Sequence, residues 1–438
     1  MAEEVLLIAS SSVDAGVGCW DLQTGGERVR YKSCASPSHG LICVGQNVIA
    51  SSQARELHVP SGSILYWSWP KAQIEVKSFP EEPIKPILAN GEGTYLFGGG
   101  VSGHIYLWEV ATGILLRKWR GHYRAVSCLI FNEDESLLIS GSDDGAIKVW
   151  PLFVIFDDEA IDQISYLHMH NFSEHMEGIN DIAVGCGGSN SVIVSSSKDR
   201  TCKVWSLSRG TMLRSISYPS EINAVALDPG EHVFYAGGAD GNIYITALHA
   251  DFSSTKNQWL YIIGSLSCHS QINCLDYAFR ENLLLAGSAD GSIRAWDPTK
   301  RCVVRVFKLS KGPVSNVRIF PKSASTSAPS TRRNSPSQLP PLAKYTTPTS
   351  ESANNVALVL LKDSSRIPID DVSISARVVE DQIKEIQHNG SSPYGLAAET
   401  MKAESSNSAK MLKKWIKMFN HLHEFCVDEI LDGFRQSP

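Results

Sequence analysis

The sequence predicts an all-β fold, a β-propeller of seven blades followed by a C-terminal amphipathic helix, and three observations carry that expectation. One phrase recurs, as LLISGSDDGAIKVW ending at Trp150, VSSSKDRTCKVW ending at Trp205 and LLAGSADGSIRAW ending at Trp296. Its period is regular. Anchor positions 20, 67, 108, 150, 205, 246 and 296 stand 41 to 55 residues apart, close to the roughly 40 to 45 residues of a four-stranded blade. Asp14, Asp144, Asp199 and Asp290 each stand six residues before Trp20, Trp150, Trp205 and Trp296. Each unit holds two alternating apolar strands around a Gly/Asp turn. One blade cannot bury both its faces, so neighbours must stack into a ring.

Taken in order, the first unit opens directly on Val5–Ser10, which reads as a second strand with no first strand before it. Weaker copies of the phrase end at Trp67 (SGSILYW), at Trp108 (LFGGGVSGHIYLW) and at Thr246 (FYAGGADGNIYIT), where the tryptophan is replaced. After Trp296, PVSNVRIFP at 313–321 copies the first-strand pattern AVSCLIF at 125–131 without a blade of its own. It is therefore expected to pair with the N-terminal unit and close the ring over 1–321, which removes exposed sheet edges. Residues 322–355 contain 18 Ser, Thr or Pro in 34 positions, with Arg332-Arg333, Ser335-Pro336 and Thr347-Pro348 among them. That is the composition of a disordered linker. Residues 356–405 form a mixed extension in which Val356–Leu361 is a candidate strand.

The last segment, 406–435, carries Leu412, Trp415, Phe419, Leu422, Cys426 and Ile430 in steps of three and four. Such spacing puts them on one helical face. Lys410, Lys413, Lys414 and Lys417 precede Glu424, Asp428, Glu429 and Asp432, a charge order opposed to the helix macrodipole. A partner helix, heterologous or from a second copy in an antiparallel homodimer, suits this stripe better than the wall of a propeller.

In the strongest units a histidine stands 21 to 24 residues before the turn aspartate, namely His122, His175 and His269, and Ser142, Ser197 and Ser288 stand two before it. The sets His122, Ser142, Asp144, Trp150; His175, Ser197, Asp199, Trp205; and His269, Ser288, Asp290, Trp296 resemble the buried tetrad of WD-repeat proteins. The resemblance implies that hydroxyl, indole and imidazole satisfy one another inside the blade. A Ser/His/Asp set also invites a hydrolase reading. A hydrolase needs one exposed nucleophile beside an oxyanion hole, whereas this set recurs once per blade on a strand, which marks architecture. Neither G-x-S-x-G nor a Walker-type phosphate loop occurs, and no cofactor or catalytic residue is expected.

Composition narrows the classes further. Ten cysteines without a C-x-x-C pair fit reduced thiols, and Cys19, Cys128, Cys202 and Cys274 fall in strand-like runs where they pack as small apolar residues. His168-Met169-His170 has no further residue at ligand spacing and reads as an exposed loop rather than a metal site. The start, MAEEVLLIAS, is acidic where a secretory signal is basic, and no stretch approaches the roughly 20 apolar residues of a membrane helix. A net charge of −6 gives the whole chain no general affinity for nucleic acid.

GHYRAVSCLIF at 121–131, INDIAVGCGG at 179–188, KGPVSN at 311–316, the Ser/Pro-rich break and the terminal helix together resemble the WD-repeat subunit of the large-ribosomal-subunit assembly complex across nearly the whole chain. The resemblance implies a scaffold of the nucleoplasm and nucleolus that works with a large helical-repeat scaffold subunit and a third subunit. It further implies action on late pre-ribosomal particles, processing of the second internal transcribed spacer, recruitment of the AAA ATPase midasin, and in plants an effect on meristem and root development. Two departures stand out. The sixth unit has Thr246 for tryptophan and no histidine near Tyr218-Pro219, and the second and third units have Ser61 and Ser102 for aspartate, so these blades are expected to be less rigid or held by neighbours. The competing reading is a substrate receptor of a cullin ubiquitin ligase or a signalling adaptor. Such receptors carry W-D-x-R, and here Trp20-Asp21-Leu22-Gln23 and Trp296-Asp297-Pro298-Thr299 have no arginine.

Overall fold

The structure, a computed structural model, describes residues 3–345 except 46–47, 54–61, 70, 158–160, 249–260, 269, 310–311 and 323–338. The candidate strand at Val356–Leu361, the extension 356–405, the helix 406–435 with its stripe, and His269 lie outside the described residues.

The described strands form seven four-stranded antiparallel sheets. Blades 2 to 7 each use four strands in sequence order, with innermost strands Leu41–Val44, Ile84–Ala89, Val126–Phe131, Ile179–Val184, Ile222–Leu227 and Ile272–Ala278. Blade 1 is composite. Its innermost strand is Val314–Lys322, which pairs antiparallel with Glu3–Ser10, Val5 opposite Phe320 and Ile8 opposite Val317. The two ends of the ring are thus joined by a β-ladder. Ser10 Oγ adds a side-chain bond to the carbonyl of Pro313 at 2.7 Å.

Blades meet through small residues. A Cβ added to Gly99 would stand 2.6 Å from Val126, at Gly141 2.9 Å from Ile182, at Gly237 2.6 Å from Ile272 and at Gly287 2.7 Å from Val314. Each glycine lies on the second strand of one blade, and each β-branched residue lies on the innermost strand of the next. A bare backbone here lets the neighbouring side chain seat directly on the sheet, which close packing requires.

The longest repeat spacing, Trp150 to Trp205, arises from an insertion between the third and fourth strands of blade 4. The helix Leu152–Phe156 and the 3-10 turn Ile161–Tyr166 bring Ile155 and Ile164 into the apolar cluster containing Trp119 and Trp150. His168-Met169-His170 departs from the exposed-loop expectation. His170 begins the outer strand His170–Phe172, opposite Val149, and His168 packs edge-on against Trp150 at 5.6 Å.

A second correction concerns the linker. Residues 339–345 of the Ser/Thr/Pro-rich segment are packed on the propeller, with Leu342 only 6% exposed in the apolar cluster of blades 2 and 3. Composition averages over 34 residues and conceals a short Leu-Pro-Pro-Leu island whose apolar side chains have a place to go.

Candidate functional site: the blade tetrads, the channel and the exposed rim

In blade 5, His175 Nδ1 lies 2.8 Å from Asp199 Oδ2 and His175 Nε2 lies 2.8 Å from Ser195 Oγ. The indole of Trp205 donates to the same hydroxyl at 2.9 Å. Blade 4 repeats the arrangement with His122 on Asp144 at 3.3 Å and on Ser140 at 2.8 Å, and Trp150 on Ser140 at 2.9 Å. The serine that joins imidazole to indole is therefore Ser140 or Ser195, four residues before the aspartate, and not Ser142 or Ser197. Register supplies the reason. Trp150 stands opposite Leu138 and Trp205 opposite Ile193, so the indole reaches the diagonal same-face neighbour two residues on. Ser142 and Ser197 lie a further pleat away, at the turn, where each accepts the amide of its aspartate and donates to a carbonyl, Ala125 or Glu177.

Ser140 and Ser195 have no exposed surface. Both hydroxyls are committed inside the blade, so neither can present a nucleophile to a substrate. Burial alone would raise the carboxyl of Asp144, but the bonds from His122 and from the amides of Ala146 and Tyr123 outweigh it and hold the group at about 2. The same balance, with His175 and Thr201 as donors, holds Asp199 well below its ordinary range.

The other blades depart from this arrangement, and the indoles of Trp67 and Trp296 are buried without a hydrogen-bond partner among the described residues. Blade 7 has Ala286 where Ser140 and Ser195 stand. Its Ser288 bonds Asp290 at 2.5 Å, and Asp290 also takes Ser292 at 2.6 Å and Arg294 at 3.0 Å. In blade 6 the large and small members exchange places, and Tyr218 meets Thr246 with hydroxyls 2.8 Å apart. In blade 3, where Ser102 replaces the aspartate, Glu82 supplies the carboxylate. It accepts from the Ser102 amide at 2.8 Å, the Ser102 hydroxyl at 2.6 Å and Tyr106 at 2.7 Å. Blades 3 and 6 are thus held by internal substitutes. In blade 1 Asp14 is exposed, and the ring of Trp20 lies over Gly18.

Around the channel runs a feature that sequence reasoning missed. Asn180, Asn223, Asn273 and Asn316, each near the start of an innermost strand, donate to main-chain carbonyls of the following blade. The acceptors are Ile222, Ile272, Val314 and Pro37, at 2.7 to 2.9 Å. The recurring Ile-Asn pairs at 179–180, 222–223 and 272–273 were the available signal. These staples sew blade 5 through blades 6, 7 and 1 to blade 2. His39, from blade 2, spans the channel to the Asn180 carbonyl at 3.2 Å and to Asp181 at 3.5 Å. The channel, about 230 Å³, also holds Asp276 and Arg318. Burial pushes Asp276 up to about 6 against the opposing pull of Arg318 and the Ile319 amide.

Between blades 4 and 5 a recess of about 740 Å³ opens to solvent, bordered by Tyr123, Arg124, Met176 and Lys198 with Asp143 inside. Tyr123 is 79% and Met176 93% exposed. No group of three or more His, Cys, Asp or Glu suited to a metal, and no helix long and apolar enough to cross a membrane, occurs among the described residues. The nine described cysteines are free.

The WD domain, G-beta repeat family matches residues 113–151, 167–206 and 260–297. "Protein ROOT INITIATION DEFECTIVE 3" of Arabidopsis thaliana is 47% identical over 435 residues, 97% of this chain and 98% of that one. "WD repeat-containing protein 18" of Homo sapiens is 30% identical over 308 residues, 69% of each chain. "Pre-rRNA-processing protein crb3/ipi3" of Schizosaccharomyces pombe is 25% identical, covering 71% of this chain and 76% of that one. Among solved structures, the computationally designed Ika8 protein superposes with a TM-score of 0.51 at 24% identity over 70% of this chain and 86% of that one, a likeness of fold.

Proposed function

This chain belongs to the WD-repeat family of ROOT INITIATION DEFECTIVE 3 and WD repeat-containing protein 18, and on that premise we propose that it is a non-catalytic scaffold of ribosome biogenesis. The observation that carries the reading is near full-length similarity to that family together with a relative named for pre-rRNA processing. The sealed Ser/His/Asp sets support it, since they brace blades and offer no exposed nucleophile. In this reading the protein acts in the nucleoplasm and nucleolus, alongside a large helical-repeat subunit, a third subunit and a midasin-type ATPase. It assists removal of the second internal transcribed spacer during large-subunit maturation, with consequences for meristem and root development. The terminal stripe Leu412, Trp415, Phe419, Leu422, Cys426 and Ile430 serves as its helical contact, with a partner or with a second copy.

Depletion tests the reading. Precursor RNA retaining the second internal transcribed spacer should accumulate, and the tagged protein should sediment with pre-ribosomal particles. Unchanged precursor levels and recovery of cullin adaptors in its place would refute it. Burying one large apolar side chain contributes roughly 1.5–3 kcal/mol, so Trp415→Ala with Phe419→Ala should release the assembly while leaving the propeller's melting transition in place.

A further inference from the structure

The third blade has lost the acceptor that its tryptophan would otherwise use. Gly98 occupies the position four residues before Ser102, and a Cβ added there would stand 2.8 Å from Cζ3 of Trp108, so the ring lies over bare backbone. The Trp108 indole donates instead to the carbonyl of Ala343 at 3.0 Å. The amide of Ala343 donates to Gly113 O at 2.7 Å, and that of Leu342 to Ser78 Oγ at 2.9 Å. Gly113 has φ +72°, and a Cβ there would meet Pro341 O at 2.5 Å. A vacated indole donor, a glycine against the visiting backbone, a hydroxyl and an apolar pocket for Leu342 are thus all complementary to one short segment. Pro340 and Pro341 hold that segment extended, which lowers the entropic cost of docking it.

We propose that the cleft between Val76–Ser78 of blade 2 and the turn at Thr112-Gly113 of blade 3 is a peptide-binding site for an extended Pro-Pro-Leu-Ala sequence, and that the chain's own residues 339–345 are its occupant. The docked segment acts as a latch. It holds Leu342 and Ala343 beside blade 3, whereas the innermost strand of blade 1 ends at Lys322. A partner bearing the same sequence would compete for the cleft and free the segment.

The test uses the full chain and its Leu342→Asp variant, which places a carboxylate in the apolar pocket. Trypsin cleavage after Lys344 reports release, and fluorescence anisotropy of a labelled QLPPLAKY peptide reports a vacant cleft. Cleavage in the variant should be at least about tenfold faster, as release of a docked segment requires. The variant should bind the peptide, and the wild type should bind it weakly. A peptide carrying Asp for Leu should bind neither. Independently of any variant, excess QLPPLAKY added to the wild type should accelerate cleavage after Lys344. Equal cleavage in both proteins with no acceleration by peptide would overturn the latch. A wild-type dimer that Leu342→Asp converts to monomer would overturn the intramolecular assignment.

Discussion

Ser195→Ala removes one oxygen from a fully buried site and leaves two polar groups behind it. The Trp205 indole, 2.9 Å from Ser195 Oγ, and His175 Nε2, 2.8 Å from it, both lose their partner. Each orphaned buried group costs about 1–3 kcal/mol, so the substitution should destabilise by about 2–6 kcal/mol. At roughly 1–2 °C per kcal/mol, extrapolated to a domain of this size, the thermal midpoint should fall by at least about 2 °C. Ser197→Ala gives up a turn amide and the Glu177 carbonyl at 3.1–3.2 Å, both near the surface, where water can replace the bond. Its midpoint should move less. Tryptophan fluorescence during heating and in urea measures both, and a double-mutant cycle with Trp205→Phe isolates the indole–hydroxyl coupling. Ser197→Ala costing as much as Ser195→Ala, or a Ser195→Ala loss undiminished in the Trp205→Phe background, would refute the assignment.

Two further outcomes follow from the departures. Tyr218→Phe leaves Thr246 Oγ1 without its partner at 2.8 Å and should cost about 1–3 kcal/mol, whereas the double replacement Tyr218→Phe with Thr246→Val removes both polar atoms and should recover part of the loss in a urea titration. Asp276 has a folded-state pKa of about 6 against an ordinary 3.8, so the folded state holds its proton more tightly than the unfolded one. The associated stability is fully present below about 4 and is lost as pH climbs through about 6. The full linkage would be about 3 kcal/mol, trimmed because Asp276 faces the channel and keeps part of its surface. Melting midpoints between pH 4 and 8 should decline more steeply for the wild type than for Asp276→Asn, and parallel curves would contradict the carboxyl's role.

Spacing made the architecture legible because period and alternation are what the sequence states directly. Seven anchors, one strand without a blade and one blade without a strand lead to the composite sheet of Val314–Lys322 on Glu3–Ser10. Spacing alone could not choose between Ser140 and Ser142, since both lie on one face of the strand and only the opposing register of Trp150 decides. Compensation was harder to see still. Glu82 serves Ser102 from the bend before Ile84–Ala89, Tyr218, just past Thr211–Ser217, meets Thr246 on Asn242–Ala247, and Ala343 reaches Trp108 from 235 positions along the chain. None of these leaves a mark at the repeat period.

That difference bears on where function should be sought. The WD family match falls on 113–151, 167–206 and 260–297, which take in the tetrad-bearing parts of blades 4 and 5 and the Ser288–Arg294 cluster of blade 7, and these interactions only hold a propeller together. The first three strands of blade 3, from Ile84 to Glu109, lie outside those spans. Free of the repeated tetrad, this blade has acquired a carboxylate from Glu82 and an acceptor from Ala343, and it is here that Leu342 is buried. A blade that keeps the motif spends its polar groups on itself. Blade 3, which has lost it, draws its indole's acceptor from 235 positions along the chain.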